Sequence, residues 1–174
     1  LIPAFSDTRI ATVEDVQSKE LVLTFRGTDI WNREDISADV SILLGYPHSR
    51  FDGALSHYDR AREVYPEHYI TATGHSLGGS LALHVGRSRM IDVVAFNPGE
   101  SIPDAVRLIA RPCQGKTCPT HTIFGTGRDI ISAVAMEFEQ VVCHVDLGGI
   151  LPFQHSLSHF LPEGVTHPRC TPLS

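Results

Sequence analysis

The chain has 174 residues, 42% hydrophobic and 20% charged: enough for one folded domain with a sizeable core, and too apolar for a disordered chain. Its 14 basic and 20 acidic residues give a formal net charge of -6. That balance argues against a nucleic-acid partner, which needs a basic face, and against strong attraction to anionic membranes. No apolar run approaches the ~18 residues that a transmembrane segment needs. The chain opens on Leu1 rather than Met, as expected of a processed or excised piece.

Residues 9–13 (Arg9-Ile10-Ala11-Thr12-Val13) read as a short strand, turned by the polar run from Glu14 to Glu20. Leu21-Val22-Leu23-Thr24-Phe25 is a continuous β-prone apolar run, which predicts a buried strand. It ends in the turn-like Arg26-Gly27-Thr28-Asp29. Residues 30–50 mix Trp31, Glu34, Asp35 and Asp39 with Ile42-Leu43-Leu44, and read as a loop plus a short element over the core. From Phe51 to Tyr65 the apolar positions Phe51, Leu55, Tyr58, Ala61 and Tyr65 fall at three- and four-residue steps. An amphipathic helix follows, stopped by Pro66.

The next stretch, Tyr69 to His84, starts as a β-rich apolar run and ends as a helix former. Between the two sits Gly74-x-Ser76-x-Gly78, the spacing of a nucleophile elbow, with its serine on a sharp strand-to-helix turn. Such a turn crowds the positions two before and two after the serine, so both need a residue without a side chain. The helix that follows aims its first N–H groups at a developing oxyanion. A Gly-Ser turn without chemistry has the same three residues; the strand-like run before and Leu81, Leu83 and Val85 after supply the context the catalytic reading needs.

That helix fades by Arg89. Asp92-Val93-Val94-Ala95-Phe96 predicts another buried strand, ended by Asn97-Pro98-Gly99, and a short helix is expected from Pro103 to Ala110. Residues 111–119 form a Pro/Gly/Cys loop. Thr120 to Phe124 and Val141 to Val145 read as strands, Phe153 to Leu161 as a final short helix, and the tail after Pro162 as irregular. Strands alternating with helices predict an α/β fold, a mostly parallel sheet with helices on both faces, in one domain over residues 1–174. Function in such sheets gathers at the carboxyl ends of the strands.

There are four cysteines, Cys113, Cys118, Cys143 and Cys170. Cys113 and Cys118 could close a small disulfide loop; two bridges and four reduced thiols are both compatible with the pattern. A lone C-x4-C with no second close pair is a poor zinc signature.

A serine hydroxyl needs a base, and the base needs an orienting acid. The chain order on this architecture is serine, acid, histidine. Of the acids after Ser76, Asp92 begins a strand and so sits at the wrong end. Glu100 and Asp104 follow a strand, and Asp129 lies just past the Thr120–Phe124 strand at the catalytic edge. Asp129 is therefore the favoured acid. His144 falls inside a strand and His167 in the tail, while His155 and His159 are one helical turn apart and are not separated by the residues alone. An oxyanion hole should combine the N–H of Leu77 with a donor from Arg26-Gly27-Thr28, where Thr28 offers both its N–H and its hydroxyl.

The pair Phe25-Arg26-Gly27-Thr28 and Gly74-His75-Ser76-Leu77-Gly78-Gly79, separated by a helix, resembles the class 3 lipase family of α/β-hydrolases, from about Arg9 to Phe160. The resemblance implies an α/β-hydrolase fold with Ser76 as nucleophile and Thr28 as the oxyanion-hole Ser/Thr. It implies Asp129, in Gly-x-Asp-Ile-Ile, as the acid, and it selects His155, opening His-Ser-Leu-x-x-Phe, over His159. Asp39 resembles the aspartate that anchors the oxyanion-hole side chain. The implied reaction is hydrolysis of lipid acyl esters, as a phospholipase A1 or an acylglycerol lipase, at a membrane or micelle interface, by a protein secreted or delivered to a membrane surface. It needs no metal and no organic cofactor. A soluble carboxylesterase or acyltransferase on the same site, and an inactive hydrolase-fold binding module, are the rival readings. The lid expected between residues 29 and 50 is poorly patterned, and the interval from Asp129 to His155 is short for the family.

Overall fold

The computed structural model describes residues 1–27, 48–99, 118–126, 141–145 and 169–172. Among these residues a single seven-stranded sheet runs in simple chain order: β1 (Ile10–Asp15), β2 (Glu20–Phe25), β3 (Tyr69–His75), β4 (Val93–Phe96), β5 (His121–Thr126), β6 (Val141–Val145) and β7 (Arg169–Pro172). Strands β2 to β6 are mutually parallel, and β1 and β7 cap the two edges antiparallel. Helix α1 (His48–Val64) links β2 to β3, and α2 (Leu77–Arg89) links β3 to β4. Successive crossovers of one hand, each stepping the same way along the sheet, put α1 and α2 on one face, where they pack on each other.

Period-two burial shows which face that is. Leu21, Leu23, Phe25, Ile70, Ala72, Val93, Ala95 and Ile123 are buried under the helices, whose contribution includes Ala54, Tyr58, Ala61, Leu81 and Val85. The alternate positions Val22, Thr24, Thr71, Thr73 and Thr122 are only half buried, and Val94 is exposed. Outside the sheet, a 3-10 turn at Pro3–Phe5 plugs the β1 side: the Oγ1 of Thr12, fully buried, donates to the Phe5 carbonyl at 2.7 Å.

Two expectations shift. Helix α1 begins at His48, three residues before the apolar stripe, because polar and small residues extend a helix beyond its packed face. The tail expected to be irregular after Pro162 instead supplies β7, with Cys170 opposite Cys143. The parallel sheet would otherwise end on the open edge of β6, and a short antiparallel strand closes it; proline is tolerated there because an edge strand need not donate on its outer side. Cys118 and Cys143 are both in disulfides, which decides for oxidised rather than reduced thiols at these positions. The expected helices at 103–110 and 153–161 lie outside the described residues. No described helix is long and apolar enough to cross a membrane.

Candidate active site

The site grows out of the end of β3. The strand is held on both sides in parallel register, by β2 up to Phe25 opposite Gly74 and by β4 up to Phe96 opposite His75. The ladder then stops and the chain turns at Ser76, with φ 56° and ψ −127°, a left-handed conformation that a residue with a Cβ rarely adopts. Strain of this kind costs about 1–3 kcal/mol and persists only where surroundings enforce it. Here the enforcement is visible. The Ser76 N–H donates to the Phe96 carbonyl at 3.1 Å, and the Ser76 carbonyl accepts from the Ser80 N–H at 3.1 Å and from the Gly99 N–H at 3.4 Å.

The glycines make the turn sterically possible. A Cβ at Gly74 would collide with the backbone of Gly78, and one at Gly78 would collide with the Phe25 carbonyl and the Gly27 nitrogen. These collisions show that the start of α2 lies directly on the loop leaving β2. A Cβ at Gly27 would in turn sit 2.6 Å from the His75 carbonyl oxygen and 3.4 Å from the Ser76 Cβ. The Arg26-Gly27 loop is therefore wedged against the elbow, and Arg50 on α1 braces it by donating from Nη2 to the Arg26 carbonyl at 3.0 Å.

Ser76 is wholly buried, and among the described residues its Oγ has no hydrogen-bond partner. A buried hydroxyl left unsatisfied costs about 1–3 kcal/mol, and such a group in a native fold calls for an explanation. Leu77, buried and first in α2, carries one of the N–H groups that a helix leaves without an intrahelical acceptor. An acyl-transfer centre calls for a serine hydroxyl beside the first N–H groups of a helix and a second donor loop, and here Ser76, the start of α2 and the loop after β2 adjoin.

Comparison with known proteins follows that geometry. Lip2 lipase from Yarrowia lipolytica superposes with a TM-score of 0.55 at 19% identity, over 79% of this chain and 60% of that one. A lipase from Rhizopus microsporus var. chinensis gives 0.50 at 17% identity, over 78% of this chain and 55% of that one. The fold is the α/β-hydrolase fold of these lipases. In sequence, the provisionally assigned lipase ATG15 of Candida glabrata is 43% identical over 54 residues, 30% of this chain and 11% of that protein. The Yarrowia lipolytica protein of the same designation is 39% identical over 54 residues, 30% of this chain and 10% of its own length. No family model matches the chain. The resemblance to lipases read from the two motifs is borne out, and so is the fold class.

Within this lipase fold, Ser76 and Leu77 stand together at the carboxyl edge of the sheet. Thr28, Asp39, Asp129 and His155 lie outside the described residues, as do the alternatives His159, Glu100 and Asp104. Asp92 sits at the opposite, amino edge, where its carboxylate takes the Tyr69 hydroxyl and the Thr120 N–H; the phenol is pushed up to about 12, first by that hydrogen bond. His144 is on β6 and exposed. His121, which the sequence reading passed over, begins β5 at the amino edge, far from Ser76 along the strands. It is buried against Gly86, and burial, aided by Arg87, lowers it to about 4.

Three supports of the elbow were missed from sequence. Arg50 reads as an ordinary helix-surface arginine. Ser80 reads as an ordinary helix residue, yet its hydroxyl donates to the Gly99 carbonyl. Asn97 reads as the turn after a strand, yet it is fully buried with φ 40°. Only Asn97 carried a usable signal, because asparagine is the non-glycine residue that most readily takes a left-handed conformation beside a Pro-Gly turn. Among the described residues no group of histidine, cysteine and carboxylate side chains could hold a metal ion.

Proposed function

We propose that this single-domain chain is a serine hydrolase that cleaves the acyl esters of lipids, as a phospholipase A1 or an acylglycerol lipase. Ser76 is the nucleophile, His155 its base and Asp129 the group that orients His155. Thr28 and Leu77 form the oxyanion hole, with Asp39 anchoring the Thr28 side chain. The observation that carries this reading is the elbow itself: Ser76 at φ 56°, its Oγ buried and without a hydrogen-bond partner among the described residues, with the Arg26-Gly27 loop wedged beside it.

The steps follow from those roles. His155 takes the Ser76 proton as Oγ attacks the ester carbonyl, and the oxyanion develops against the N–H groups of Leu77 and Thr28. The tetrahedral species expels the alcohol, which takes the proton back from the imidazolium. Water, deprotonated by His155, then releases the fatty acid and regenerates Ser76. Asp129 holds the imidazole in the productive tautomer and stabilises its charged form. A lipid ester is the preferred acyl donor because the fold neighbours and the sequence relatives are lipases by name.

The test is a panel of short-chain soluble esters, triglyceride emulsion and phospholipid vesicles, with positional analysis of the products. Release of fatty acid from the emulsion or from the vesicles, abolished in Ser76→Ala, is the expected result. Turnover confined to soluble short-chain esters would replace the lipid reading by a carboxylesterase, and no turnover of any ester would favour a binding module.

A further inference from the structure

Beyond the catalytic groups themselves, the carboxyl ends of β4 and β5 are joined by a side chain. In a parallel ladder a residue donates its N–H to one residue of the neighbouring strand and accepts, at its carbonyl, from the residue two further on. Asn97 makes the first of these bonds normally, its N–H donating to the Phe124 carbonyl at 2.8 Å. The second rung should join the Thr126 N–H to the Asn97 carbonyl. It is filled instead by the Asn97 side chain, whose Oδ1 accepts the Thr126 N–H at 2.9 Å. The Thr126 hydroxyl closes the pair, 3.4 Å from Nδ2 and 3.5 Å from Oδ1, and both residues are wholly buried.

This substitution frees the main chain to diverge. At φ 40° the backbone leaves the sheet after Asn97 and runs beneath the elbow: Pro98 lies against Gly79, the Gly99 N–H reaches the Ser76 carbonyl, and the Gly99 carbonyl takes the Ser80 hydroxyl. Strand β5 continues through Thr126, from which Asp129 follows three residues later in sequence. One buried amide thus ties the segment that supports the nucleophile to the strand that leads to the acid.

We propose that Asn97 is a positioning residue for the acyl-transfer reaction, its side-chain amide fixing the end of β5 relative to the Ser76 elbow. The inference rests on the assignment of Ser76 and Asp129 as nucleophile and acid. Asn97 touches no reacting atom; it acts through the separation of the two arms. A misplacement of an ångström in such a frame costs on the order of 10²-fold in rate.

The deciding comparison is Asn97→Gly against Asn97→Asp, with kcat, KM and the pH dependence of kcat measured on one ester, alongside Tm. Glycine accepts φ 40° without strain but removes the acceptor, whereas aspartate keeps an acceptor for the Thr126 N–H. Asn97→Gly is expected to lower kcat about 10- to 100-fold with KM within about twofold, and to move the acidic limb of the kcat profile, since the base is held less well. Asn97→Asp is expected to recover most of the loss. If Asn97→Gly is too unstable to assay, Asn97→Ser, whose shorter side chain retreats from Thr126, carries the same expectations. A kcat and an acidic limb equal to wild type, measured below the variant's Tm, would overturn the proposal even if Tm falls. Ser76→Ala and Asp129→Asn run in parallel separate the two claims. Wild-type turnover in either defeats the triad, while two inactive variants beside an unimpaired Asn97→Gly defeat the positioning role alone.

Discussion

The carbonyl oxygen of Phe25 lies against the α-carbon of Gly78, leaving no space for a Cβ between the end of β2 and the first turn of α2. This contact sets the distance between the two elements proposed to supply the oxyanion donors, Thr28 two residues beyond Gly27's neighbour Arg26 and Leu77 beside Ser76. The atom that must yield to a side chain here is backbone on both sides, so relief requires the β2 loop to move away from the elbow.

Gly78→Ala is accordingly expected to separate the donors and lower kcat about 10²–10³-fold, the loss found when one oxyanion donor is removed. Overpacking of this kind also destabilises by about 1–3 kcal/mol. Steady-state kinetics together with a denaturation curve distinguish the two effects. A folded Gly78→Ala protein with wild-type kcat would mean that the loop after β2 takes no part in catalysis.

A second prediction concerns acid. The ordinary histidine value is 6.5, and His121 is lowered to about 4 chiefly by its burial. A depressed histidine favours the fold while it is neutral in both states. That contribution is complete above about pH 6.5 and is lost as pH falls towards 4, because the unfolded chain then binds a proton that the folded one resists. At ~1.4 kcal/mol per unit the loss is on the order of 3 kcal/mol. Chemical denaturation at a series of pH values from 7 to 4 should show a steeper acid loss in wild type than in His121→Gln. Parallel curves would remove His121 as the cause.

Much of this organisation was legible in the sequence because it rests on local signals. The apolar run at Leu21–Phe25 and the glycine spacing around Ser76 gave β2, β3 and the elbow nearly residue by residue. Pro66 marked the end of α1 within two residues. What was not legible is what depends on pairing across distance. Strand β7 has no internal pattern and exists because β6 offers an edge. The role of Asn97 depends on a residue 29 positions later in the chain, and that of Arg50 on a carbonyl 24 positions earlier. His121 looked like a strand-leading polar residue, and its burial depends on the close approach of Gly86 from α2.

The β6–β7 register supplies a third prediction. Directly opposed residues of an antiparallel pair have Cα atoms about 4.5–5.5 Å apart, within the span of a disulfide. Cys143, which is disulfide-bonded, faces Cys170 in that register. Peptide mapping without reductant is expected to link Cys143 to Cys170 and Cys118 to Cys113, and reduction to cost about 2–4 kcal/mol of stability. A peptide joining Cys118 to Cys143 would contradict this pairing.

Thr12 supplies a fourth. Its hydroxyl donates its one proton to the Phe5 carbonyl, so His57, 2.9 Å away, must be the donor to Thr12 through Nε2. Thr12→Val keeps the volume but leaves that carbonyl and that N–H without their partner, and should cost about 1–3 kcal/mol while kcat stays unchanged. Equilibrium denaturation with parallel kinetics checks it; an unchanged stability would show that water replaces the hydroxyl.

The central claim is that the buried Ser76 hydroxyl is a nucleophile, and covalent labelling tests it most directly. Incubation with a fluorophosphonate, followed by peptide mass spectrometry, is expected to place a single adduct on Ser76. That adduct should disappear in Ser76→Ala, together with a fall in ester turnover of roughly 10⁶-fold. Intact, folded protein that takes no label, or a Ser76→Ala variant that retains turnover, would contradict the account.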